Sequence, residues 1–122
     1  DQEVAYAELE LNRIFDFYSN KRFKVSPIRQ FPFSKRDYAI MIDNDVDFNS
    51  LKEKSLKISG KLLYKIDLFD VYNGKELPKN KKSYGISFYF YNNEKTITDS
   101  EINIICNKLE KMFINSFGAE LR

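Results

Sequence analysis

Residues 83–91 alternate with a period of two: Tyr84, Ile86, Phe88 and Phe90 fall on one side, Ser83, Gly85, Ser87, Tyr89 and Tyr91 on the other. That pattern reads as a strand with one apolar, covered face and one face of different chemistry. A second strong signature follows it. Thr98 and Glu101 have the spacing of a capping box, Ile102, Ile105, Cys106, Leu109, Met112 and Phe113 recur at helical spacing, and Gly118 marks the stop. A sheet face and an amphipathic helix this close in sequence demand each other as cover.

The rest of the chain supplies the remaining layers. Residues 38–43 form a compact apolar strand, and Asp47 can cap a helix over 48–59 that ends at Gly60, with Phe48, Leu51, Ser55 and Ile58 on one face. A second strand runs from Leu63 to Tyr72, and residues 119–122 leave room for a short fourth. The order is β-α-β-β-α-β. We therefore expect an α+β, ferredoxin-like sandwich, a four-stranded antiparallel sheet with two helices on one face and the other face free. Residues 4–11 read as a further strand, and 14–18 as either a helical turn or more strand. Residues 19–35, basic and carrying Pro27 and Pro32, read as an extended connection. One feature breaks the alternation of the second strand. Ile66 and Leu68 share a phase with Asp70 and Tyr72, so the apolar phase flips near Leu68, by a bulge or because both faces are covered there.

Composition limits the chemistry. The 122 residues suit one core, and the net charge of +2 gives no general affinity for polyanions. There is no histidine, which removes His-based acid–base chemistry, the common nucleophilic pairs and most transition-metal sites. Cys106 is alone and on the apolar helix face, so it is expected to pack inertly in a reducing, cytoplasmic setting. The apolar runs are too short to cross a bilayer and no signal-peptide pattern opens the chain. Asp1 in place of a methionine reads as an excised piece of a longer protein.

Charge distribution says more than its sum. Residues 17–36 carry six bases (Lys21, Arg22, Lys24, Arg29, Lys35 and Arg36) and no acid. A second basic segment, Lys75, Lys79, Lys81 and Lys82 against Glu76 alone, joins the second strand to the third. That loop is flanked by Asp70 and Tyr72 on one side and Ser83 on the other. An aromatic face, a carboxylate acceptor, a hydroxyl and several ammonium groups at one hairpin can hold an unpaired RNA base by its face and edge while neutralising its backbone. A tyrosine at a strand end also serves simply as core with its hydroxyl in water. Asp67 and Asp70 could be imagined as a catalytic acid pair, but with no tunable base and no phosphate-cradling glycine loop no catalytic or metal site is expected.

Five motifs occur in one order: Phe31-Pro32 with Arg36-Asp37, Leu68-Phe69-Asp70-Val71-Tyr72 with Gly74 and Leu77-Pro78, Lys81-Lys82-Ser83, Lys95-Thr96-Ile97-Thr98-Asp99, and the ending Phe117-Gly118-Ala119-Glu120-Leu121-Arg122. In this, the chain resembles the carboxy-terminal ferredoxin-fold anticodon-binding domain of bacterial phenylalanyl-tRNA synthetase β subunits, over about residues 31–122. The resemblance implies that residues 1–30 are the tail of a preceding catalytic-like domain plus a basic linker. It implies tRNA(Phe), through its anticodon stem-loop, as the partner, inside an α2β2 enzyme that uses ATP and magnesium at sites outside this fragment. By position, Tyr72 would stack on an anticodon base, Asp70 would accept hydrogen bonds from its edge, and Ser83 and Arg122 would contact base or phosphate. Lys81 and Lys82 are added as phosphate neutralisers and Arg36 as a phosphate contact.

Two other binding modules share the element order. An RNA-recognition motif would align its third-strand signature with residues 82–89, where four of seven specified positions match but Ile86 replaces the central stacking aromatic. A ferredoxin-like regulatory domain that binds a small ligand or self-associates has no use for a lysine-rich 73–82 loop.

Overall fold

A computed structural model describes residues 3–19 and 29–122. Seven regular elements appear among them: α1 (Leu11–Ser19), β1 (Ser34–Asp43), α2 (Phe48–Ser59), β2 (Leu63–Tyr72), β3 (Lys81–Phe90), α3 (Asp99–Phe117) and β4 (Glu120–Leu121), with a short 3-10 turn at Gly60–Leu62. The four strands make one antiparallel sheet in the order β2-β3-β1-β4. The α+β, ferredoxin-like βαββαβ arrangement expected from the sequence is the observed one.

Local chemistry explains the helix limits. The Asp47 carboxylate accepts from the backbone N–H groups of Asn49 and Ser50, satisfying donors that the first turn of α2 leaves free. Thr98 and Glu101 form the reciprocal capping box at the start of α3. At its end Gly118 takes a left-handed conformation (φ 57°), and the Ala119 N–H reaches back to the Phe113 carbonyl. That reversal delivers β4 to the sheet, where the Arg122 N–H donates to the Ala39 carbonyl at 2.9 Å.

The core lies between the sheet and the two helices. Ile40, Ile42, Ile66, Tyr84, Ile86, Phe88 and Phe90 from the strands meet Leu51 of α2 and Ile102, Ile105, Cys106, Leu109, Met112 and Phe113 of α3. Phe88, Phe90 and Phe113 are fully buried, and truncating any one to Ala costs roughly 3–5 kcal/mol in comparable cores. Tyr38 adds a polar tie: its hydroxyl donates to the Glu110 carboxylate at 2.9 Å, and burial pushes its pKa above the ordinary phenol value.

Two expectations are corrected, and one left open is decided. Residues 4–11 do not form a strand: 3–10 carry no regular structure, have no place in the sheet and are exposed, and α1 begins at Leu11. The 14–18 segment is helical. Residues 34 and 35 belong to β1 rather than to an extended connection, and the strand starts four residues before the expected 38, since pairing with Phe90 through Ser87 of β3 outweighs the polar composition of 34–37. Of that proposed connection, residues 20–28 lie outside those described.

Candidate nucleic-acid interface

Side chains paired across neighbouring strands point to one face, so the register defines what the face opposite the helices carries, where Met41, Ser83 and Ser87 are buried. In one rung Asp70 pairs with Gly85, Gly85 with Ala39, and Ala39 neighbours Arg122. In the next rung Tyr72 pairs with Ser83, Ser83 with Met41, and Met41 with Glu120. The floor between Asp70 and Arg122 is thus made of a glycine and an alanine, with the Phe69 ring lying over the glycine.

A bulge creates this arrangement. Leu68 pairs with Ile86 on the helix side, yet Asp70 pairs with Gly85, so Phe69 is an extra residue in β2. It resets the phase, leaving Leu68 packed on the core while Asp70 and Tyr72 face outward. Phe69 is 61% exposed and its ring lies against Gly85, where a Cβ would stand only 2.7 Å from Phe69 Cε2. Gly85 is required by this close approach. Gly74 plays the same part for Tyr72, whose hydroxyl end folds against it. The hairpin then closes through two turns, Leu77 N–H to Gly74 and Lys81 N–H to Pro78, with Asn80 in the left-handed region (φ 65°) that asparagine tolerates.

Five of the sequence-predicted residues converge on this face: Asp70, Tyr72, Ser83, Arg122 and, one rung beyond Ser83, Lys81. Lys81 forms an ion pair with Asp43 at 2.9 Å, and the hydrogen bond its ammonium donates to that carboxylate raises its pKa. Two residues are not brought to it. Lys82 pairs with Ile42 on the helix side and donates to the Asn44 carbonyl at 2.8 Å. Arg36 pairs with Phe88, also on the helix side, and binds Asp99 at the start of α3 at 2.6 Å. Adjacent strand residues point oppositely, so Lys81 and Lys82 cannot serve as a pair on one face.

The face also holds groups that sequence reasoning passed over. Lys35 and Lys65 flank Tyr89 in one rung, and Asp37 and Asp67 flank Ser87 in the next. Lys35 binds Asp37 at 3.0 Å and Lys65 binds Asp67, so the band is charged but balanced. The Ser87 hydroxyl donates to Asp37 at 2.6 Å, and this bond, helped by Lys35, holds the Asp37 carboxyl below its usual pKa. At the far end Phe33, Tyr64 and Tyr91 cluster with ring centroids 5.2–6.2 Å apart. The available signal was the 84–90 alternation itself, which puts Tyr89 outside once Phe88 is inside.

The middle of the two central strands presents Gly85, Ser87, Asp37 and Ala39, whereas an RNA-recognition motif needs aromatics there. The exposed rings nearest the small floor, Phe69 and Tyr72, come from the edge strand β2. Among the described residues no group of three or more His, Cys, Asp or Glu side chains could hold a metal, and no helix is long and apolar enough to cross a membrane.

The chain is thus a ferredoxin-like sheet covered by helices on one side, with a carboxylate, a tyrosine and a lysine at one end of the other. The model of the family "Ferredoxin-fold anticodon binding domain" matches residues 29–122, and the chain belongs to that family. The chain is 36% identical over all 122 residues to the phenylalanine–tRNA ligase β subunits of Porphyromonas gingivalis and Bacteroides fragilis, and 38% identical to that of Syntrophotalea carbinolica. In each case it spans about 15% of the relative's length.

Proposed function

We propose that this domain reads the anticodon loop of a phenylalanine tRNA, as part of the β subunit of a phenylalanine–tRNA ligase. The observation that carries the reading is the pair of adjacent rungs, Asp70–Gly85–Ala39–Arg122 and Tyr72–Ser83, that puts a carboxylate, a tyrosine and a hydroxyl on the sheet face opposite the helices. A base stacked on Tyr72 would present its edge to Asp70. Guanine offers two N–H donors on its Watson–Crick edge to a carboxylate, which fits the first anticodon position of phenylalanine tRNAs. The Ser83 hydroxyl and the Arg122 guanidinium would serve a neighbouring base or phosphate, and Lys81 would neutralise backbone charge.

In this reading residues 1–30 are the tail of a preceding domain and its linker. Leu11, Phe15, Phe17 and Tyr18 of α1 are more than half exposed, which supports a surface that some other part of the protein covers. Joining phenylalanine to tRNA with ATP and magnesium would fall to other parts of a cytoplasmic α2β2 enzyme. Among the described residues no group of three or more His, Cys, Asp or Glu side chains could hold a magnesium ion.

The test is a titration of the 122-residue chain with the anticodon stem-loop of phenylalanine tRNA against one with a changed anticodon. The cognate loop is expected to bind more tightly, and Asp70→Asn to erase much of that preference with a smaller change in overall affinity. Equal binding of both loops by the native chain would sink the reading.

A further inference from the structure

β2 contains two bulges, and each pushes an aromatic ring out of register: Tyr64 between Leu63 and Lys65, and Phe69 between Leu68 and Asp70. The Tyr64 ring is occupied. The Arg29 guanidinium lies 4.3 Å from its centroid and 5.0 Å from that of Phe33, and hydrogen-bonds the Tyr64 hydroxyl. Phe69 has no such cover. Its ring is 61% exposed, seated on the backbone of Gly85 and beside the Asp70 side chain, whose Cβ and the ring both crowd any Cβ placed at position 85. Lys35 holds its ammonium 5.9 Å from the ring centroid and spends one donor on Asp37.

A phenyl ring left in water is unfavourable, and here the absence of a side chain at Gly85 makes room for it beside Asp70, which is on the same face. Phe69 and Tyr72 are three residues apart in an extended strand, on the order of 10 Å. Splayed neighbouring bases of a single-stranded loop bridge such a gap, and every base has a π-face to offer. We propose that Phe69 is a second base-stacking platform, taking the nucleotide next to the one held on Tyr72. The inference rests on the anticodon reading and adds a specific contact to it.

The test uses stem-loops with an abasic nucleotide at each anticodon position in turn, alongside the intact loop. Phe69→Ala is expected to weaken binding of the intact loop about tenfold. That loss should disappear on one abasic loop, and the Tyr72→Ala loss on a different one. Phe69→Tyr should retain binding, since the π-face remains, while Phe69→Leu should lose it although a similar apolar bulk stays. Melting of each variant, with an exposed side chain changed, reports whether the fold is intact. Native-like binding by Phe69→Ala, or an equal loss on every abasic loop, overturns the proposal. If Tyr72→Ala is also silent, the reading of the whole face falls with it. If Tyr72→Ala loses affinity and Phe69→Ala does not, only the second platform is lost.

Discussion

The two ends of β2 use the same device to opposite effect. At the Leu63 end a bulge extrudes Tyr64 into a group with Phe33 and Tyr91, and the chain's own Arg29 fills the space among the three rings. At the Tyr72 end a bulge extrudes Phe69 and turns Asp70 and Tyr72 outward, with glycines beneath both rings. A bulge aims side chains, but what those side chains do depends on whether the fold also provides their partner. An aromatic group that holds an internal cation is part of the structure; one seated on glycine beside a carboxylate has its partner left to the proposed RNA. Between them runs the balanced band of Lys35, Asp37, Ser87, Asp67 and Lys65.

The largest expected effect breaks the outward end. Tyr72→Ala should weaken stem-loop binding by roughly ten- to a hundredfold, since a lost base–aromatic stack costs about 1–3 kcal/mol. The ring is 40% exposed over Gly74, so its removal leaves no deep cavity and the melting temperature should hardly move. Tyr72→Phe should keep most of the affinity. A variant that melts many degrees lower yet binds RNA normally would make the tyrosine a packing residue.

The inward end should answer the other way. Arg29→Ala removes a cation held over three rings and should cost about 0.5–1 kcal/mol of folding stability, read by chemical denaturation. Stem-loop affinity should stay within about twofold of native, well under 1.4 kcal/mol. A loss of binding comparable to that of Tyr72→Ala would join the two ends into a single RNA surface.

Much of this fold was legible because its signals are local. The carboxylate of Asp47, the Thr98–Glu101 pair and Gly118 each satisfy backbone groups within a few residues, so α2 and α3 declared their ends. The start of β1 was not, because Lys35, Arg36 and Asp37 hold strand geometry only through partners fifty residues away. The 4–11 segment failed for the converse reason: its apolar residues look like a strand but pair with no strand among the described residues. In the site, Asp70, Tyr72, Ser83 and Arg122 could be named, and the phase flip at Leu68 could be seen, but alternation alone left bulge and double cover open. Placing Lys81 and Lys82 needed the register of β3, which begins two residues before the alternation becomes visible.

Acid should separate the balanced band and the helix cap from either end. Hydrogen bonds from Lys95 and from Thr98 hold the Glu101 carboxyl at about 2, and Asp37 is also held below its usual value. A carboxyl whose pKa is depressed by folding stabilises above its unfolded pKa, and that contribution is lost as pH falls through the folded pKa. Stability should therefore be level near neutral pH and decline from about pH 4.5 toward about 2. Glu101→Gln should flatten the decline and lower stability at pH 7, as measured by denaturation across that range. A decline unchanged in Glu101→Gln would assign the acid sensitivity elsewhere.

The smallest effect concerns charge rather than rings. Lys81 stands one rung beyond Ser83 on the outward face, while Lys82 next to it points toward the helices and is bonded to Asn44. If Lys81 neutralises one phosphate, Lys81→Ala should reduce the slope of log affinity against log salt by roughly 0.7 for a single-stranded loop. It should weaken cognate and changed loops equally, because phosphate contacts carry position and not sequence. Lys82→Ala, with its ammonium on the far side of the sheet, should leave that slope alone. The pair of variants thus tests the face assignment with one measurement, a salt series on each. An equal drop in slope for both would mean that the RNA wraps the edge of the hairpin and is not confined to the open face.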